Sequence, residues 1–275
     1  MRLYKTNNGV VIEKDGKYYP VTDESWETFI NDDNLYSKME RLLLSLPAST
    51  NELKDSLAPI GDSQELWACG VTYLRSKVGR QEESKASGGA DFYGKVYEAE
   101  RPEVFFKSTP HRIVGTNDFV RIRKDSTWDV PEPELTLVVT SSGKIIGYTI
   151  GNDMSSRSIE GENPLYLPQA KTYDKCAALG PCIYVTEQPL DSSTKIQLTI
   201  NRNNEIVFAD SIAISQMKRT TQELVSFVYR ECSFPYGCLI MTGTGIVPGN
   251  DFTLKSGDEI KISIDNIGTL INTVQ

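Results

Sequence analysis

Apolar positions in this chain gather into short runs rich in Val, Ile, Phe and Thr, set apart by polar turns, at residues 103–107, 119–123, 134–140, 144–150, 181–185, 196–201 and 259–264. Runs of this length, bounded by turn residues, predict strands, and their spacing favours a largely antiparallel β domain over repeated βαβ units. Ahead of them, residues 1–24 alternate apolar and polar groups around the turn-like Asn7-Asn8-Gly9 and Lys14-Asp15-Gly16-Lys17, which predicts short antiparallel strands. Residues 26–46 carry apolar groups at helical spacing until Pro47 interrupts them, predicting one or two helices. Residues 51–60 read as a connector. A boundary near residue 62 follows, with a small N-terminal α/β domain at 1–62 and a larger domain at 63–275. Residues 73–97 are rich in Lys, Arg, Glu and Ser and are interrupted by Gly88-Gly89. That composition predicts helices on either side of a mobile loop that could close over a substrate, although plain surface helices explain it equally well. The main helix expected within the β region is 217–229.

Composition narrows the class of function. A chain of 275 residues buries enough surface to fold without staples. Its five cysteines are an odd number with no Cys-x-x-Cys pair, and the N-terminus lacks the apolar run of a signal peptide, so reduced thiols in the cytoplasm are expected. A single histidine argues against a Cys/His zinc site. The formal charge of −8 argues against a nucleic-acid surface, and no segment approaches the apolar length of a membrane span. Neither a Gly-x-Gly-x-x-Gly after a strand, a P-loop nor a Gly-x-Ser-x-Gly elbow is present.

The densest chemistry is an acidic hairpin. Glu132 and Glu134 lie two apart in Pro131-Glu132-Pro133-Glu134-Leu135, so a strand directs both carboxylates to one side. The chain turns back through Ser141-Ser142-Gly143 and can bring Asp153 beside them. Three close carboxylates require a cation or a proton, and all-oxygen ligation suits Mg²⁺, with Mn²⁺ or Ca²⁺ as alternatives. An isolated Glu-x-Glu is more often a solvated strand edge. Glu103 and Lys107 share a strand face, fit either for proton transfer or for a surface ion pair. Arg157 follows Asp153 in a turn-like segment, and Lys171 ends an apolar, proline-bounded loop. Thr242-Gly243-Thr244-Gly245 forms a compact turn able to offer N–H groups and hydroxyls to a carboxylate, as ordinary hairpin turns also can. His111 reads as a surface or loop-packing residue, and Cys69 and Cys176 as buried apolar ones.

Taken in order, Arg101-Pro102-Glu103-Val104-Phe105-Phe106-Lys107, the Pro-Glu-Pro-Glu-Leu run, residues 147–157 and Thr242-Gly243-Thr244-Gly245 resemble the fumarylacetoacetate hydrolase superfamily over about residues 63–275. Residues 131–135 and 160–171 are similar to its branch of 2-keto-3-deoxy-D-arabinonate dehydratases, a likeness that continues through the N-terminal segment. The resemblance implies an α+β fold, with a mixed β-sandwich or β-roll catalytic domain after the small N-terminal domain. It implies Mg²⁺ on Glu132, Glu134 and Asp153, with Glu103 and Lys171 flanking the reacting carbons. Lys107, Arg157 and Thr244 would place charge or touch the substrate, a small anionic 2-keto sugar acid dehydrated to 2,5-dioxopentanoate. Homodimers or homotetramers are implied as well. Hydrolases of the superfamily carry a water-activating histidine near the start of the lid, where this chain reads Gly70-Val71-Thr72-Tyr73-Leu74-Arg75. That departure disfavours hydrolysis. An acylpyruvate hydrolase, an oxaloacetate decarboxylase-type C–C lyase and a noncatalytic sugar-acid or metal-binding module remain as alternatives.

Overall fold

The computed structural model describes every residue except 51, 52, 54, 86 and 87. Two sheets organise it. The larger runs, in spatial order, through Lys17–Val21, Gly9–Lys14, Arg2–Thr6, Ala177–Tyr184, Ile145–Asp153, Pro133–Val139, Cys238–Met241, Leu66–Gly70 and Glu103–Ser108, with Ile113–Val114 also paired to Ala177–Tyr184. The smaller runs through Glu205–Ala213, Lys195–Arg202, Glu259–Ile264, Gly268–Val274 and Phe119–Val120. The result is the expected α+β fold, with a smaller N-terminal region whose hairpin extends the large sheet, Arg2 lying opposite Tyr184.

Side-chain alternation fixes how the layers meet. Along Lys195–Arg202, Ile196, Leu198 and Ile200 are buried and stand opposite Ile264, Ile262 and Ile260. They share one core with Leu135, Leu137 and Val139 of the large sheet. Between those residues Val138 points the other way, into a second core with Phe29, Ile30, Leu35 and Met39 of the N-terminal helices. Pro133–Val139 is therefore buried on both faces, with Glu134 and Thr136 as its polar positions.

The 26–46 region resolves into Trp26–Ile30, capped by the Ser25 side chain, and Leu35–Leu43. The lid-like stretch forms Leu74–Glu83 and Ala90–Glu98, and Thr221–Val228 is capped by Thr220. The connector expected at 51–60 lies partly outside the described residues. Its later part is tied to the first strand by the Leu57 N–H donating to the Lys5 carbonyl at 2.8 Å. The strand expected at 119–123 shortens to Phe119–Val120, after which the Arg121 N–H turns to the Lys175 carbonyl. Glu205–Ala213, Cys238–Met241 and Gly268–Val274 were not anticipated. Nor is the pairing purely antiparallel: Cys238–Met241 runs parallel to Leu66–Gly70. Four of the free cysteines are buried and Cys232 is exposed. Among the described residues no helix is long and apolar enough to cross a membrane.

Candidate active site and metal centre

The acidic hairpin forms as the period-2 pattern requires. Glu134 stands opposite Gly151 and Pro133 opposite Asn152, and one step further Glu132 and Asp153 exchange backbone hydrogen bonds of 3.2 and 2.9 Å. Glu132, Glu134 and Asp153 are all buried, and one ligand atom from each lies within 4.8 Å of the others. The expected Gly/Thr turn contributes directly: the Gly243 N–H donates to Glu134 Oε2 at 2.5 Å. Gly243 has a φ of +90°, a left-handed conformation open to glycine at little cost. Burial, followed by the charges of Asp153 and Glu132, pushes the Glu134 carboxyl well above the ordinary range.

Two lysines supply counter-charge. Lys171, fully buried at the end of the helix Leu167–Lys171, donates to Glu132 Oε2 at 2.8 Å, Asp153 Oδ2 at 2.9 Å and Ser155 Oγ at 2.6 Å. Lys107 Nζ lies 2.6 Å from Asp153 Oδ1 and donates to the Met154 carbonyl at 3.0 Å and, closely, to that of Lys171. Burial raises the Asp153 carboxyl, but Lys107 and Lys171 outweigh it and hold the group below its usual value.

Glu103, Phe105 and Lys107 alternate along Glu103–Ser108 toward this centre. Glu103 sits opposite Gly70, and any Cβ at Gly70 would come within 2.7 Å of the Glu103 Cδ. Glycine there makes room for the carboxyl. Burial raises Glu103, opposed by Arg80 and Lys171, and its Oε2 is buried without a hydrogen-bond partner. Arg157 Nη2 donates to Glu132 Oε1 at 3.1 Å. Thr244 lines the cavity, but its hydroxyl is spent locally on Ile246, accepting from the N–H at 3.1 Å. His111 is exposed on the turn Pro110–Arg112, away from the centre, and is not among the cavity-lining residues.

Three charged residues escaped the sequence reading. Arg80 lies 3.9 Å from Glu132 Oε1 and contacts Glu160 closely, while Glu83 contacts Arg157 closely. Nothing in a polar helical stretch distinguishes a buried charge from a solvated one. With these included, among the described residues six carboxyl groups (Glu83, Glu103, Glu132, Glu134, Asp153, Glu160) face four cations (Arg80, Lys107, Arg157, Lys171), an excess of two negative charges with every carboxyl ionised, which burial opposes at Glu103 and Glu134. One divalent cation would offset that charge, and the carboxylate donor set suits a hard ion. The enclosed cavity is only about 10 Å³, room for a water or a small ion rather than a sugar acid.

The profile of the "Fumarylacetoacetate (FAA) hydrolase C-terminal" family matches residues 81–275. The chain belongs to the fumarylacetoacetate hydrolase family. Within that family it is 50% identical over 214 residues to the "Probable 2-keto-3-deoxyxylonate dehydratase" of Haloferax volcanii, covering 78% of this chain and 73% of the relative. It is 44% identical over 216 residues to the "2-dehydro-3-deoxy-D-arabinonate dehydratase" of Saccharolobus solfataricus, covering 78% and 72%. The solved structure "2-keto-3-deoxy-D-arabinonate dehydratase complexed with magnesium and 2,5-dioxopentanoate" superposes with a TM-score of 0.84 at 35% identity, over 100% of this chain and 99% of that one.

Proposed function

We propose that this member of the fumarylacetoacetate hydrolase family is a Mg²⁺-dependent dehydratase that converts 2-keto-3-deoxy-D-arabinonate to 2,5-dioxopentanoate. The observation that carries the reading is a buried Glu132, Glu134 and Asp153 cluster flanked by Lys171 and Glu103, in a chain up to 50% identical to named dehydratases. Arabinonate and xylonate need not be rival substrates. Conversion of C2 to a ketone and C3 to a methylene leaves C4 as the sole stereocentre, and the D-arabino and D-xylo series share its configuration. The two names, within one series, denote one compound.

A divalent cation on the three carboxylates would act as a Lewis acid toward the 2-keto group and acidify the C3 protons. Lys171 takes a proton from C3, and Glu103 protonates the C4 hydroxyl, which departs as water. Tautomerisation then moves the second carbonyl to C5. Burial favours the protonated form of Glu103, which suits a proton donor. As the ammonium that donates to Glu132, Asp153 and Ser155, Lys171 has no free lone pair, so its base role requires it first to pass one proton to a neighbouring carboxylate. Arg157 and Lys107 hold Glu132 and Asp153 in place, and the helix Leu74–Glu83 excludes water above them.

The proposal extends to a cytoplasmic homodimer or homotetramer with a domain boundary at residue 62. Free thiols suit a reducing compartment. Incubating the Mg²⁺-loaded protein with 2-keto-3-deoxy-D-arabinonate, with mass-resolved chromatography of the products, tests the activity. 2,5-Dioxopentanoate is expected. Unchanged substrate would overturn the reading, and pyruvate from an acylpyruvate would favour C–C cleavage.

A further inference from the structure

Resting on the reading of Glu132 as a metal ligand, we infer that Glu160 is a positioning residue that holds Arg80 off Glu132 and so keeps that carboxylate available to the metal. Two short helices meet here. Leu74–Glu83 and Arg157–Glu162 approach so closely that a Cβ at Gly161 would lie 2.9 Å from the Glu83 carbonyl oxygen. Their charges cross: Arg80 of the first helix contacts Glu160 of the second, and Arg157 of the second contacts Glu83 of the first. All four side chains are at most 5% exposed, so each charge must find its partner within the cluster.

Both arginines also reach Glu132 Oε1, at 3.1 Å from Arg157 and 3.9 Å from Arg80. A guanidinium with Glu132 as its only anion would settle on that carboxylate and compete with a cation for it. Glu160 prevents this for Arg80 by engaging its guanidinium, whereas Arg157 keeps its hydrogen bond to Glu132 while contacting Glu83. The geometry is graded accordingly, since Arg80 lies closer to Glu160 than to Glu132. Its guanidinium also stacks 5.7 Å from the Tyr93 ring of Ala90–Glu98, which ties it to the rest of the lid-like segment.

The test is Mn²⁺ affinity of the substrate-free protein, measured by calorimetry for wild type, Glu160→Gln, Arg80→Met and the double variant, each checked by thermal melting. Glu160→Gln frees Arg80 to pair with Glu132, and Mn²⁺ binding is expected to weaken roughly ten- to hundredfold, the range for residues behind a metal ligand. Adding Arg80→Met removes the competing cation and should return affinity to the wild-type level or tighter. A residue with a merely structural role would leave the double variant at least as weak as the single. Glu160→Gln binding Mn²⁺ like wild type, or a double variant as weak as Glu160→Gln, overturns the inference. If Glu160→Gln does not fold, the double variant, in which the buried pair is neutral, decides alone: affinity below wild type refutes the assignment. Wild type that binds no Mn²⁺ sinks the metal reading itself, a different failure.

Discussion

Gly70→Ala isolates the role of Glu103 without touching a ligand or a charge. An added Cβ would overlap Glu103 Oε2 and lie 2.7 Å from Cδ. Ordinary contact between carbons needs about 3.5 Å, so the carboxyl must retreat by roughly 1 Å. Because the obstructed group is the end of a flexible side chain, the strand pairing of Gly70 with Glu103 can persist, and a melting point close to wild type is expected. A 1 Å misplacement of a proton-transfer group costs on the order of 10²-fold in rate, about 2.7 kcal/mol of barrier. Steady-state production of 2,5-dioxopentanoate should therefore fall about a hundredfold in kcat, while Mn²⁺ affinity, set by Glu132, Glu134 and Asp153, stays near wild type. Glu103→Gln serves as the reference for complete loss of the proton. A folded Gly70→Ala protein with full activity would show that the position of this carboxyl does not matter to the chemistry, and the assignment of Glu103 would fall.

Lys171→Met should lower kcat by roughly 10²- to 10⁴-fold while Mn²⁺ affinity holds or tightens, because the ammonium that contacts Glu132 and Asp153 is gone; unchanged turnover by product chromatography would remove Lys171 from the mechanism. Glu134→Gln should weaken Mn²⁺ binding and turnover together, and a variant retaining both in calorimetry and assay would exclude Glu134 as a ligand. Burial pushes the Asp129 carboxyl up to about 6 from its ordinary 3.8, against hydrogen bonds from Ser126 and Arg123. A raised carboxyl contributes stability that is complete below the unfolded value and is lost as pH rises through about 6. Asp129→Asn should accordingly gain on wild type in denaturant melts between pH 4 and pH 7, by about 1–2 kcal/mol after solvent screening, and parallel pH profiles for the two proteins would contradict this.

Local pattern made the centre of the site legible. Glu132 and Glu134 share a face because strands have a period of two, and Asp153 joins them because the intervening turn sets the register. The strand Pro133–Val139 was legible from the Val- and Thr-rich run at 134–140. What escaped depends on contacts between distant parts of the chain. Cys238–Met241 pairs with Leu66–Gly70 across more than 170 residues, and no local signal gives that parallel register. Glu205–Ala213 is mostly exposed along its length, so it lacks the buried face that marks a strand. Arg80, Glu83 and Glu160 look like solvated helix charges, and their burial follows only from the packing of two helices that are nearly eighty residues apart. Thr244 lines the cavity as expected of a ligand contact, while the Gly243 N–H beside it holds Glu134.

The placement of Lys171 separates the maturation of this protein from its assembly. Many small metalloproteins cannot fold until their ion arrives, because their clustered ligands repel one another. Here a side chain of the same polypeptide carries positive charge into the cluster, spanning Glu132 and Asp153 from within. The cluster can thus form before any ion arrives, which separates folding from the metal loading proposed for Glu132, Glu134 and Asp153. On the proposed reading, chelation should silence the protein without denaturing it.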